Sequence, residues 1–293
     1  MGSKRLDWRE TTGLLLRRPE LGLLFVLALS TVAFTVINSA FISGPNVESN
    51  LQTASFIGLV AIGETFLIIS GQFDLSVGSV AAFAAVAAAV LMAHHGVPVP
   101  LAILAAVLLG ALAGLINGLL VVKAGLPALI ITLGMLFAAR GGTYVLGGGT
   151  QVYPLPSAAT WFSHKYAGLP VSVWIVFALA VCADIVLRRS QYGRRVYATG
   201  GNARAAALAG IRVDRVQIAA FVLTGALSAL AGVFAMAQLQ SGDPQIGTGW
   251  ELSVIAAVVV GGVSLRGGVG AVAVALVGVV FLQAIQSGLV VSG

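Results

Sequence analysis

Few residues of this 293-residue chain could do chemistry inside an apolar environment: Glu64 and Arg140, with Asp74, Asp184 and Glu251 at the edges of apolar runs. A charge placed there is costly, so each demands either a partner or a function. A proton relay needs several acids or histidines within the apolar runs, and Glu64 is the sole acid well inside a long one. His94, His95 and His164 all fall in polar connections. No histidine lies with carboxylates at metal-ligand spacing, no Cys/His or Ser/His pair sits in an apolar run, and no Walker lysine loop occurs. Cys182 is the single cysteine, which excludes an intrachain disulfide. These residue types offer no covalent chemistry. Helix rise puts Arg140 about 9 Å and Glu64 about 20 Å from the outer ends of their runs, so they are poorly placed to pair. Glu251 is the better partner for Arg140, and Asp184 is expected to pair with Arg188 at i,i+4. Charges satisfied between packed helices and charges that gate a pathway both stay open. For Asn117, Thr132, Thr224 and Gln238 the expectation is interhelical hydrogen bonding.

The elements that must position these residues are apolar helices. Hydrophobic residues make up 58% of the chain and charged ones only 9%, with a mean hydropathy of +1.01. Soluble domains carry about 25% charged residues, so this balance excludes a soluble domain, a disordered chain and a fibre. The 37 glycines suit membrane helices, whose backbones approach closely at small residues. A span needs about 20 apolar residues. Suitable runs occur at 21–42, 51–70, 75–93, 97–122, 126–146, 171–187, 216–239 and 267–291. A ninth run, 252–265, is short for a full span, which leaves a half-helix or re-entrant segment open. The first run follows Lys4, Arg5, Arg9, Arg17 and Arg18, but its length exceeds the ~7–15 residues of a signal peptide core. It reads as a retained span.

Basic residues set the orientation. Five of the sixteen precede residue 19, and seven lie between Arg188 and Arg215. With the N-terminus inside and nine crossings, Lys123 and Arg266 also fall inside, only Lys165 falls outside, and Arg140 lies within a span. That asymmetry is what the positive-inside rule demands. The expected organisation is a cytoplasmic basic segment, 1–20, followed by a transmembrane domain, 21–293. Nine crossings place Gly293 outside directly after an apolar run, so a final helix is expected beyond it.

Two short segments repeat. Asp74-Leu75-Ser76-Val77 opens the third run from the inside and Glu251-Leu252-Ser253-Val254 opens the eighth from the outside. Opposite orientation is the signature of inverted repeats, which place a transport pathway at their interface. The bland alternative is that an acid in a first helical turn is stabilised by exposed N–H groups, by about 0.3–1 kcal/mol.

Segment 188–215 is the most informative. Gly200-Gly201 is expected to break the chain, Asn202 to cap a two-turn helix over 203–209, and Gly210 to end it. A helix that short is unstable alone in water, so something must dock on it. Anionic lipid could anchor its seven basic residues. A capped helix with a small-residue face suits a groove on a protein partner better.

At these residues the chain resembles the permease subunits of bacterial ABC importers for ribose, xylose, arabinose and related sugars. Gly71-Gln72-Phe73-Asp74-Leu75-Ser76-Val77-Gly78-Ser79 is similar to a family motif that reads Gly-Gly-Ile-Asp-Leu-Ser-Val-Gly-Ser. Thr132-Leu133-Gly134 with Arg140-Gly141, the Gly200–Gly210 segment, and Glu251–Gly262 closed by Gly267-Gly268 follow in family order. The resemblance runs from about residue 50 to the end. It implies an all-α integral membrane protein of about nine to ten transmembrane helices with an inverted-repeat-like core, in the bacterial inner membrane with its N-terminus cytoplasmic.

The implied function is a non-enzymatic translocation pathway for a monosaccharide or related small polar solute. It works by alternating access with a second permease, identical or paralogous. The implied partners are a cytoplasmic ATPase holding ATP and magnesium, an extracytoplasmic or lipid-anchored sugar-binding protein, and membrane lipid, with no nucleic acid. This chain would hold no cofactor or metal. Gly200, Gly201, Asn202, Arg204, Ala205, Ala206, Leu208 and Gly210 would form the coupling helix against the ATPase. Glu64, Phe73, Asp74, Ser76, Asn117, Thr132, Arg140 and Glu251 are candidates for the pathway or its gate. Gln72 and Phe73 replace the common Gly and Ile, which leaves the sugar open. The competing class is an ion-coupled secondary transporter, for which Glu64 with Asp74 would have to hold the coupling ion.

Overall fold

A computed structural model describes residues 19–292. Most of the basic N-terminal segment expected over 1–20, and the terminal Gly293, lie outside the described residues. The described chain is mainly helical: α1 (Pro19–Ile37), α2 (Gly44–Ile69), α3 (Val77–Ala93), α4 (Val99–Val122), α5 (Ala128–Leu146), α6 (Val171–Arg189), α7 (Gln191–Gly201), α8 (Ala203–Leu208), α9 (Val213–Leu239), α10 (Trp250–Val260) and α11 (Val272–Ser292). A two-residue hairpin, Lys165–Tyr166 with Leu169–Pro170, precedes α6. By length and composition, six helices could cross a membrane: α2, α4, α5, α6, α9 and α11. Three shorter apolar helices lie at Gly22–Ile37 (within α1), α3 and α10.

Burial separates these helices sharply. Nearly all of α2 from Ser55 to Ile69 is buried, whereas α4 buries a single stripe. That stripe is Ala102, Ala106, Gly110, Gly114, Asn117, Gly118 and Val121, small residues mostly four apart and therefore on one helix face. It meets α9: a Cβ added at Gly114 would collide with the carbonyl of Phe221, and one at Gly110 with that of Gly225. On its other side α9 meets α2, where a Cβ at Gly63 would lie 2.7 Å from the Cα of Thr224. With no hydrophobic drive between helices in lipid, close packing at small residues is what holds such pairs together. The outward face of α4, including Leu101, Leu104, Leu108 and Leu112, stays exposed as lipid contact requires.

Two connections leave the helical pattern. After α2 ends at Ile69, the chain turns at Gly71 (φ +88°) and doubles back before α3 begins. The backbone N–H of Asp74 donates to Glu64 Oε1 at 2.9 Å. Glu64 lies five residues before the end of α2, about 7 Å along its axis, so α3 starts well inside the bundle. After α9, Gly242 packs between Val86 and Ala89 of α3 and bridges to Val152. Five residues later Gly247 meets Gly78, about 12 Å further along α3. The connection 240–249 thus descends alongside α3, and α10 begins next to the start of α3. This corrects the placement of Glu251 near the outer surface.

Candidate functional site

The site is the place where those two helix starts meet. Gly78 and Gly247 abut through their backbones, and a side chain on either would collide with the other's carbonyl oxygen. Gly247 also has φ +73°, a conformation that L residues rarely adopt. Glu251, in the first turn of α10, brings Oε2 to 2.9 Å from where a Cβ on Gly78 would stand. Carboxylates there are favoured by the unpaired N–H groups of the helix starts.

On the α3 side a closed polar group surrounds the turn. Asp74 Oδ1 accepts from the Ser76 backbone N–H at 2.7 Å and from Ser76 Oγ at 2.6 Å. Asn117 Nδ2 on α4 donates to Asp74 Oδ2 and to Ser76 Oγ, each at 3.0 Å. Glu64, Asp74, Ser76 and Asn117 are all buried. Glu64 Oε2 and Asn117 Oδ1 remain without a hydrogen-bond partner. The group therefore ties α2, α3 and α4 together at one depth. Asn117 bonds from α4 to the turn that precedes α3 rather than to another helix, and the Thr224 hydroxyl donates to Ala220 within its own helix. Thr132 on α5 is buried with Oγ1 unpartnered, and Phe73 packs half-buried against the core.

Arg140 acts on the α10 side. Its Nη1 donates to the carbonyl of Pro244 and, at 3.0 Å, to that of Ile246. The expected pairing with Glu251 is thereby corrected: no salt bridge forms between them, and the guanidinium is held by backbone carbonyls of the descending connection. Carbonyl groups that have left helical pairing need donors, and Arg140 supplies them. Asp184 and Arg188 pair at 2.9 Å as expected. Among the described residues no group of three His, Cys, Asp or Glu side chains could hold a metal ion.

The 188–215 segment lies at the end of the bundle where Ile69 ends α2. Gly200 and Gly201 do not themselves leave the helix; they form the last turn of α7, which ends at Gly201, and the chain breaks one residue later at the extended Asn202. Their smallness serves contact instead. A Cβ on Gly200 would collide with the carbonyl of Ile69 and lie 2.7 Å from the N–H nitrogen of Gly268. Gly268 itself donates to that same Ile69 carbonyl at 2.9 Å. Asn202 Oδ1 accepts from Ala205 N–H at 2.9 Å, capping α8, and Gly210 has φ +84°. In α8 only Ala206 is buried; Arg204, Ala205 and Leu208 face outward, Leu208 with 86% of its surface exposed. Sequence reasoning missed the glycine stripe of α4, although the four-residue spacing of Gly110, Gly114 and Gly118 was there to read.

Residues 46–293 match the family described as the branched-chain amino acid transport system / permease component. The chain belongs to that family. It is 35% identical over 276 residues to the L-arabinose ABC transporter permease protein AraH of Azospirillum brasilense, covering 93% of this chain and 80% of the relative. It is 36% identical over 275 residues to the ribose import permease protein RbsC of Escherichia coli (strain K12), covering 91% and 84%. It is also 36% identical over 255 residues to the autoinducer 2 import system permease protein LsrC of Salmonella paratyphi B, covering 87% and 73%. No solved structure matches it.

Proposed function

We propose that this permease forms the translocation pathway of an ATP-binding-cassette importer for a monosaccharide or a related small polar solute. Arabinose, ribose and autoinducer 2 stand in the names of the relatives above, which supports a sugar or sugar-like cargo over an amino acid. A separate cytoplasmic ATPase hydrolyses ATP, an extracytoplasmic binding protein delivers the solute, and a second permease completes the pathway. The 188–215 segment faces the cytoplasm, and α1, α3 and α10 join the six long helices as nine membrane segments.

The observation that carries the coupled mechanism is the backbone junction of Gly200, Ile69 and Gly268. It sits directly beside the capped helix α8, whose outward Leu208 and Ala205 have no partner among the described residues. A push on α8 is passed through α7 to the turn that leads into α3 and to the connection that follows α10. In the same reading α2–α3 and α9–α10 are an inverted pair: each is a long helix, a reversal and a shorter helix opening on Asp-Leu-Ser-Val or Glu-Leu-Ser-Val. Their facing starts would part and close as the two permeases rock. Glu64 and Asp74, already engaged with backbone and Asn117, serve as structural anchors rather than as a coupling-ion site.

Ala205→Trp is the decisive variant, because Ala205 faces outward and its bulk disturbs docking rather than folding. With the ATPase and binding protein reconstituted in vesicles, uptake and transport-stimulated ATP hydrolysis should fall at least tenfold while membrane insertion stays normal. Wild-type uptake rates in that variant, or solute flux from the permease alone driven by an ion gradient, would reject the proposal.

A further inference from the structure

The basic residues of 188–215 are not all turned toward α8. Arg195 on α7 and Arg212 and Arg215 at the start of α9 line one cavity of about 490 Å³, together with Tyr192, Gly210, Val216 and Ala219. All three arginines are exposed. None of them forms a salt bridge with an acid among the described residues, whereas Lys123 pairs with Asp214 and Arg188 with Asp184. Three arginines that line one cavity, none of them paired with an acid, leave it positively charged, so an anion in it is favoured. We propose that this cavity binds the phosphate group of an anionic phospholipid.

The rest of the lining identifies the anion's carrier. Val216 and Ala219 belong to the first turns of α9, a helix long and apolar enough to cross a membrane, and Ala219 is exposed on its flank. A ligand that reaches the arginines while lying along this flank must join an anionic head to an apolar tail. Basic pockets at the ends of membrane helices hold lipid heads in this way. The surface suited to a soluble partner is instead the outward face of α8. Tyr192 closes the cavity wall and donates its hydroxyl to the Val216 carbonyl at 3.2 Å. Burial pushes that hydroxyl up to about 12, so it adds no negative charge to the site.

The test uses the full chain purified with its ATPase from membranes containing phosphatidylglycerol and phosphatidylcholine. Native mass spectrometry then counts retained lipid. Wild type should retain phosphatidylglycerol in preference to phosphatidylcholine, and rising salt should erode the preference. R195Q/R215Q should bind phosphatidylglycerol roughly thirtyfold more weakly, at about 1 kcal/mol per arginine near the surface. The charge-matched R189Q/R194Q should bind it as wild type does. Equal retention of both lipids by wild type, or equal losses in the two double variants, overturns the proposal without depending on how either variant folds. Displacement of the lipid by millimolar inorganic phosphate would make the cavity a free-anion site. Loss of the ATPase with lipid retained in R195Q/R215Q would make it a protein-docking site. Either result also overturns the lipid assignment. Failure here leaves the transport reading intact, because that reading rests on α8 and uptake.

Discussion

The two helix starts that meet at Gly78 and Gly247 are held by opposite means. The turn into α3 is fixed from within by carboxylates and an amide, all buried. The connection into α10 is fixed from the side by a cation, Arg140, which grips carbonyls of a partly exposed segment. A carboxylate accepts from N–H groups of a helix start; a guanidinium donates to carbonyls of a connection built from turns. Each side carries the charge its local backbone leaves unsatisfied. The α3 side is sealed, so any change there leaves buried groups unpaired. On the α10 side Pro244 and Ile246 are buried, but Arg140 is only half-buried and Gln245 and Thr248 of the same connection are exposed, so it is the more adjustable of the two.

The contact between the sides should be the most sensitive point. Gly247→Val should abolish uptake and lower stability by about 3 kcal/mol, since it overpacks a backbone contact and forces an L residue into positive φ. Thermal unfolding in detergent measures this, with Gly134→Ala, at an open position inside α5, as the control that should not destabilise. Next, Asp74→Ala should cost roughly 2–4 kcal/mol, because the Ser76 N–H, the Ser76 hydroxyl and Asn117 all lose their acceptor in a dry site. A melting temperature equal to wild type would refute the sealed description.

Arg140→Met should cost less, about 1–2 kcal/mol, yet loosen the connection it grips. A cysteine at Thr248 should label several-fold faster in that background, whereas Asp74→Ala should leave its labelling rate near wild type. Equal acceleration in both would mean that the two starts are one rigid unit and that the contrast is false. Smallest of all, Lys165→Gln should change stability by less than about 0.5 kcal/mol, because its 2.7 Å pair with Glu48 is more than half exposed on the lysine side.

Much of the fold could be read from apolar runs. The run 97–122 became α4 over Val99–Val122, and 171–187 became α6 over Val171–Arg189. What hydropathy does not encode is path. Residues 240–249 carry Gln240, Ser241, Asp243 and Gln245, a composition that reads as a surface loop, yet the backbone descends beside α3 to Gly78. That is why Glu251 was expected at the wrong depth. The partner of Arg140 was illegible for a related reason: a backbone carbonyl leaves no mark in the amino-acid alphabet. Gly200 and Gly201 misled in the opposite direction, since glycine signals both chain breakage and close approach, and only the neighbouring Ile69 and Gly268 decide between them. The cap at Asn202 was legible because it is local.

The comb of small residues along α4 has a mechanical corollary. Two helices whose main chains touch at successive turns cannot slide or tilt against each other without collision, so α4 and α9 must travel as a single pillar. Whatever displacement opens a route for cargo has to be taken up at joints flanking that pillar, and cross-linking α4 to α9 should leave the working stroke untouched.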